Sequence, residues 1–146
     1  LQLDDSIYIY ITGNSKAKER ALNMAIASNV ILTGYLEEAV YLQFLFSADI
    51  VMDLTTRDDC LVCGAYEAVA AEKPLILSGT AALKSYFYKG VVYTDNSADD
   101  IAQKIRVALE KRDQLINSVR ELKAELLSQA LSKHQELEKI LAHLVL

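Results

Sequence analysis

The sequence predicts a doubly wound α/β domain, a parallel sheet with helices on both faces, followed by a long C-terminal helical segment. Three observations predict it. Short β-branched or aromatic runs alternate with stretches of helical length and spacing. The connections between them are short. Beyond residue 112 there is no Gly or Pro, and leucines recur at three-to-four spacing.

The first strand is expected at residues 7–12, where Ile7-Tyr8-Ile9-Tyr10-Ile11-Thr12 closes on Gly13-Asn14. Ser15 is placed to cap a helix over 16–27, whose Ala21, Leu22, Ala25 and Ile26 share a face. Asn29 ends that pattern. Val30-Ile31-Leu32-Thr33 makes a second strand, stopped by Gly34. A helix follows at 37–47, with Glu37 and Glu38 where the helix dipole favours acids. A third strand is expected at 49–54 and a third helix at 62–71. Residues 74–78 form a fourth strand ended by Gly79. A short helix at 81–88 and a strand at 91–94 come next. Ser97 caps a helix over 98–110, with Asp99 and Asp100 in its first turn. This alternation is the Rossmann-like arrangement.

No domain boundary is visible before Arg112. The expected organisation is a sheet domain over 1–112 and a helical extension over 113–146. Leu115, Val119, Leu122 and Leu126 give the extension an apolar stripe. It resumes at Leu137, Ile140, Leu141 and Leu144, after a polar patch at 128–135. One long helix or two abutting helices fit. The stripe packs back on the sheet, or it covers a further domain or a second copy of the chain.

Composition narrows the function classes. The chain has 146 residues, is 52% hydrophobic and 24% charged, and carries a net charge of -5. That fits a globular domain and argues against non-specific nucleic-acid binding. No apolar run approaches the roughly 18 residues of a membrane span. No secretory signal is visible. Leu1 stands where a Met would start a chain, so a piece of a longer protein is expected. Cys60 and Cys63 do not make a disulfide scaffold, and a reducing, cytoplasmic location is expected.

In an open parallel sheet, ligands bind beyond the carboxyl ends of the strands. Three segments there carry suitable chemistry: Gly13-Asn14-Ser15, the loop over 55–64, and Ser78-Gly79-Thr80. The first lets backbone approach a phosphate but is no G-x-G-x-x-G fingerprint. The second leads into a helix N-terminus, whose bare amides favour a diphosphate. Asp59 and Glu67 stand eight residues apart across that junction, with Gly64 between them. Alone, Asp59 reads as a helix cap and Glu67 as a solvated helix residue. Together they suit an elongated ligand with an anionic middle and hydroxyls at both ends.

The segment over 59–78 runs Asp59, Cys60-Leu61-Val62-Cys63-Gly64, then Tyr66-Glu67-Ala68-Val69-Ala70-Ala71-Glu72-Lys73-Pro74-Leu75-Ile76. It resembles the E-x7-E signature region of retaining glycosyltransferases with the GT-B fold, the group typified by bacterial capsule and lipopolysaccharide enzymes. Asn29-Val30-Ile31-Leu32-Thr33-Gly34-Tyr35, the 41–49 segment and Gly90-Val91-Val92-Tyr93 are similar to its flanking elements. The resemblance covers residues 7–109. It implies the C-terminal, donor-binding half of a two-domain hexosyltransferase of polysaccharide biosynthesis. The implied donor is a UDP- or GDP-sugar, transferred to a hydroxyl acceptor with retention. Asp59 is implied at the catalytic position, holding sugar hydroxyls and phosphates together with the amides that follow it. Glu67 is implied to bind the ribose hydroxyls. Gly13, Asn14, Cys60, Leu61, Val62, Cys63, Gly64, Ser78 and Gly79 are implied to line the donor cleft. No metal or other cofactor is implied. The implied partners are the acceptor-binding N-terminal domain and, for the intact enzyme, a membrane surface touched peripherally.

Two departures stand out. Asp59 occupies a position where Glu is usual, so its reach is a methylene shorter. The cations that neutralise the diphosphate in the family lie upstream of the first strand here, and residues 1–6 hold none. Lys16, Lys18, Arg57 and Lys84 are nearby but have no assigned role. The isolated chain is therefore expected to be inactive. Two other classes remain. Cys60-Leu61-Val62-Cys63 at a helix start has the spacing of a redox dithiol. A non-catalytic module binding partners through its last helix is the third. Zinc lacks ligands near the cysteines, because His134 and His143 lie in the tail.

Overall fold

The computed structural model describes residues 4, 6–13 and 27–144. The chain divides into two compact units, Leu1–Ser47 and Ala48–Leu146. All described strands pair in parallel, and from residue 30 onward strands alternate with helices, so the fold is α/β of the Rossmann-like type.

In the first unit, strand β1 (Ile9–Thr12) pairs with β2 (Val30–Gly34), Ile9 opposite Val30 and Ile11 opposite Leu32. The strand begins two residues later than expected because the Ile7 amide turns back to the Asp4 carbonyl at 3.0 Å. Asn29 is buried and ties the two strands, donating from its side chain to the Ile7 carbonyl at 2.9 Å. Gly13 takes φ +106, open to glycine and costly for other residues, and its amide donates to the Gly34 carbonyl. Helix α1 (Glu38–Ser47) lays Phe44 edge-on against Tyr10, ring centroids 5.1 Å apart. The helix expected over 16–27 falls outside the described residues for all but its last position.

In the second unit the sheet order is β3 (Val51–Asp53), β4 (Leu75–Ser78), β5 (Val91–Thr94). The central strand is buried on both sides, as its unbroken Leu75-Ile76-Leu77 run requires. Pro74 opens it, where a missing amide costs no ladder bond. Leu75 and Leu77 face a core made with helix α2 (Cys63–Ala70), Leu83 of helix α3 (Ala81–Tyr86) and Phe87. Helix α4 (Ala98–Glu110) packs on β4 and β5 through Ala102, Ile105 and Ala108, which lie outside that core. Pleating turns Ile76 away from Leu75 and Leu77, toward that helix, so both faces of the sheet are covered. The expected Ser97 cap forms, its Oγ accepting from the Asp100 amide, and Thr80 adds one that was not expected, its Oγ1 accepting from the Leu83 amide, each at 3.3 Å.

The extension is one helix, α5 (Arg112–Leu144). The polar patch at 128–135 does not interrupt it. Its first half packs back on the sheet unit: Val119 and Leu122 are completely buried in the same core as Leu75 and Leu77. Ion pairs frame that contact. Lys89 meets Glu125 at 2.8 Å and Glu121 at 3.1 Å, and Arg112 meets Asp49 at 3.0 Å. Glu72 ends α2 in a left-handed conformation, φ 59, where glycine is usual. Its carboxylate holds Arg120 at 2.8 Å and Lys123 at 3.0 Å, and those cations lower its pKa, Arg120 most. No helix among the described residues is long and apolar enough to cross a membrane.

Gly90 is the tightest point beneath α5. It has φ +71, and a Cβ there would lie 2.1 Å from Val119 Cγ2 and 2.8 Å from the Val119 amide nitrogen. The close neighbours include α5 backbone, so relief requires moving the helix. Gly90→Ala is expected to destabilise the protein by about 2–4 kcal/mol, combining overpacking with backbone strain. Urea unfolding of the wild type and variant measures it; a loss under about 0.5 kcal/mol, the range of neutral surface changes, would contradict the packing.

Candidate functional site at the β3–α2 junction

The site is built where β3 ends. Its last residue is an acid, Asp53, and α2 starts ten residues later at Cys63. Val62 is the N-cap residue and its side chain makes no capping bond. The carboxylate that serves the helix start comes from across the junction: Asp53 Oδ2 accepts from the Gly64 amide at 2.9 Å. A Cβ at Gly64 would lie 2.7 Å from that oxygen, so the absence of a side chain is what admits the carboxylate. Glu67 follows one turn into the helix, on its exposed surface, and its charge acts on Asp53. Burial pushes the Asp53 carboxyl above the usual aspartate value, the Gly64 amide opposes that, and the Glu67 charge adds to it.

Asp59 is exposed on the turn between β3 and α2. Cys60 is half-buried, with its Sγ donating to the Leu61 carbonyl at 3.4 Å, and Cys63 is exposed at the first position of α2. Leu61 is exposed and Val62 is in the core. Both cysteines are free thiols. Among the described residues no cluster of three or more His, Cys, Asp or Glu side chains could hold a metal ion.

The ends of all three strands of this sheet are tied by one polar clasp. Ser78 Oγ accepts from the Thr55 amide at 2.8 Å and donates to Asn96 Oδ1 at 2.8 Å. Asn96 closes the ring by donating from its side chain to the Thr55 carbonyl at 3.0 Å. Asn96 takes φ 70, a conformation asparagine tolerates better than most residues. The Ser78 hydroxyl, expected from the sequence to line the donor cleft, is buried and ties the strand ends. Gly79 is exposed beside it, and a Cβ there would lie 3.4 Å from Lys84 Nζ. The Lys84 ammonium also stands 5.6 Å from the Tyr93 ring centre.

The second unit thus brings Asp53, Gly64 and Glu67 together, and separately Thr55, Ser78 and Asn96. Gly13 lies at the end of β1 in the first unit, and Asn14 falls outside the described residues. Two participants were missed in the sequence. Asp53 reads only as a residue of the strand expected over 49–54, because a cap reaching eleven residues ahead has no local signature. Asn96 had a usable signal, an asparagine two residues past a strand end and just before a helix cap. A pocket of about 310 Å³ at the turn between α4 and α5 involves none of these residues. No family model matches the chain, and no curated protein is similar to it at a significant level.

The raised Asp53 pKa fixes the sign of a pH effect. The folded state holds this proton more tightly than the unfolded chain, so its contribution is full below the ordinary value of 3.8 and lost as pH rises through the folded value. Asp53→Asn keeps an oxygen acceptor for Gly64 and removes the ionisation. Its stability relative to wild type should rise as pH goes from acid toward neutral and then level off. Denaturant unfolding of both proteins across that range measures it, and a difference independent of pH would place the wild-type carboxylate in open solvent.

Proposed function

We propose that this chain is the nucleotide-sugar-binding half of a glycosyltransferase, acting with an acceptor-binding N-terminal domain. The observation that carries the reading is the β3–α2 junction: a glycine in the first helical turn lets groups approach the helix start closely, with Glu67 one turn inside and Asp59 on the loop before it. A carboxylate accepts from two vicinal hydroxyls, which suits Glu67 for a ribose. Asp59 and the amides following it suit sugar hydroxyls and a diphosphate. Lys84, beside Gly79 at the end of β4, is a cation suited to offset diphosphate charge. Asp53 adds a condition. It already occupies the Gly64 amide, so a diphosphate at that amide must share it with a carboxylate or displace one. Burial already raises the Asp53 pKa, and a second anion beside it would raise it further. The free thiols of Cys60 and Cys63 are consistent with a cytoplasmic protein.

A dithiol reading is favoured by one observation, the exposure of Cys63 at the first position of α2, where a helix N-terminus favours thiolate. Thiol titration with and without a dithiol oxidant separates the readings: a stable intramolecular disulfide near the thioredoxin potential supports redox chemistry.

Calorimetric titration with UDP- and GDP-sugars tests the main proposal. Binding is expected, and Glu67→Ala should weaken it by about 1–3 kcal/mol, the cost of a charged hydrogen bond and its stranded partners. Unchanged affinity in the variant removes Glu67 from the site. Absence of binding to either donor class rejects the reading.

A further inference from the structure

Helix α5 outruns the core it packs on. Val119 and Leu122 are fully buried, but Leu127, Leu131, Leu137, Ile140 and Leu141 are each more than half exposed. Residues 127–144 extend the helix by about 26 Å at 1.5 Å per residue. An apolar stripe of that length is costly to leave in water.

Leu127, Leu137 and Leu141 of this stripe fit a heptad seam, with Leu131 at e and Ile140 at g widening it on either flank. With Leu127, His134 and Leu141 at a, the d positions are Ala130, Leu137 and Leu144. In this register Lys133 is at g and Glu138 at the following e. A parallel two-stranded coiled coil sets each g residue against the e residue five positions on in the other strand. Lys133 then meets Glu138 of the partner subunit, and the symmetric contact repeats it. An antiparallel pair sets g against g and e against e, which brings Lys133 no carboxylate. His134 at a is a polar residue in the seam, the kind that fixes register. In the single chain Glu138 sits 3.4 Å from His134 on the same helix, already on the flank of the stripe.

We infer that residues 127–144 pair in parallel with the same segment of a second copy of this chain, in a register fixed by reciprocal Lys133–Glu138 contacts. The apolar seam supplies the affinity and the charges select the orientation. The buried first half of the helix anchors each copy's seam to its sheet unit.

Sedimentation equilibrium of the full chain over a concentration series tests this. The wild type should be a dimer at high concentration. Leu137→Glu combined with Leu141→Glu should give a monomer; both residues are exposed in the single chain, so near-UV circular dichroism should remain that of the wild type. Lys133→Glu should raise the dimer dissociation constant about tenfold by turning two attractive contacts repulsive. Adding Glu138→Lys should bring it back to about the wild-type value. A wild type that stays monomeric at every concentration overturns the proposal. So does a dimer that survives the double leucine variant. Dimerisation unmoved by the charge variants, or a charge swap that does not restore it, overturns the parallel register.

Discussion

The contact between the Asp53 carboxylate and the Gly64 amide sets the geometry of the candidate site. It ties the end of β3 to the first turn of α2 and so fixes how the loop between them must run. The contact exists because residue 64 has no Cβ; any other residue would press on the carboxylate oxygen at 2.7 Å. The arrangement has an electrostatic cost. Asp53 is half-buried with Glu67 in electrostatic range, and one backbone amide does not fully offset its lost hydration.

The clasp around Ser78 explains why this junction is steady enough to matter. Ser78 lies on the buried central strand, where an unpartnered hydroxyl would be expensive. Its bonds to Thr55 and Asn96 satisfy it and join the exits of β3, β4 and β5. The loop leading toward Asp59 therefore starts from a fixed point at Thr55. Local order at the strand ends comes from side-chain hydrogen bonding, and the more variable chemistry sits on the loop beyond.

Helix α5 shows one pattern put to two uses. Its first half completes the core of the sheet unit and is locked by the Glu72 and Lys89 ion pairs. Gly90 lets the helix backbone approach the sheet, and Glu72 accepts a left-handed conformation while its side chain holds two α5 cations. The second half repeats the apolar stripe with no core beneath it. The stripe therefore serves a surface in one half and an interior in the other.

Periodicity alone determined the α/β class, the parallel pairing and the order of the described elements, but not the division of the strands into two sheets. The apolar runs at 75–77 and 91–93 mark strands, and a local cap such as Ser97 acts within three residues, so sequence proximity suffices to reveal it. The sequence also singled out Glu67 and Gly64 as neighbours on one helix. It did not reveal Asp53 as the residue serving the start of α2, nor the ties that Ser78 makes to Thr55 and Asn96. Those roles depend on which strand ends lie side by side, and partners 11, 18 or 23 residues apart leave no periodic trace. The tail was legible as a helix but not as two halves. Exposure depends on where the sheet unit ends beneath the helix, and only tertiary packing decides that.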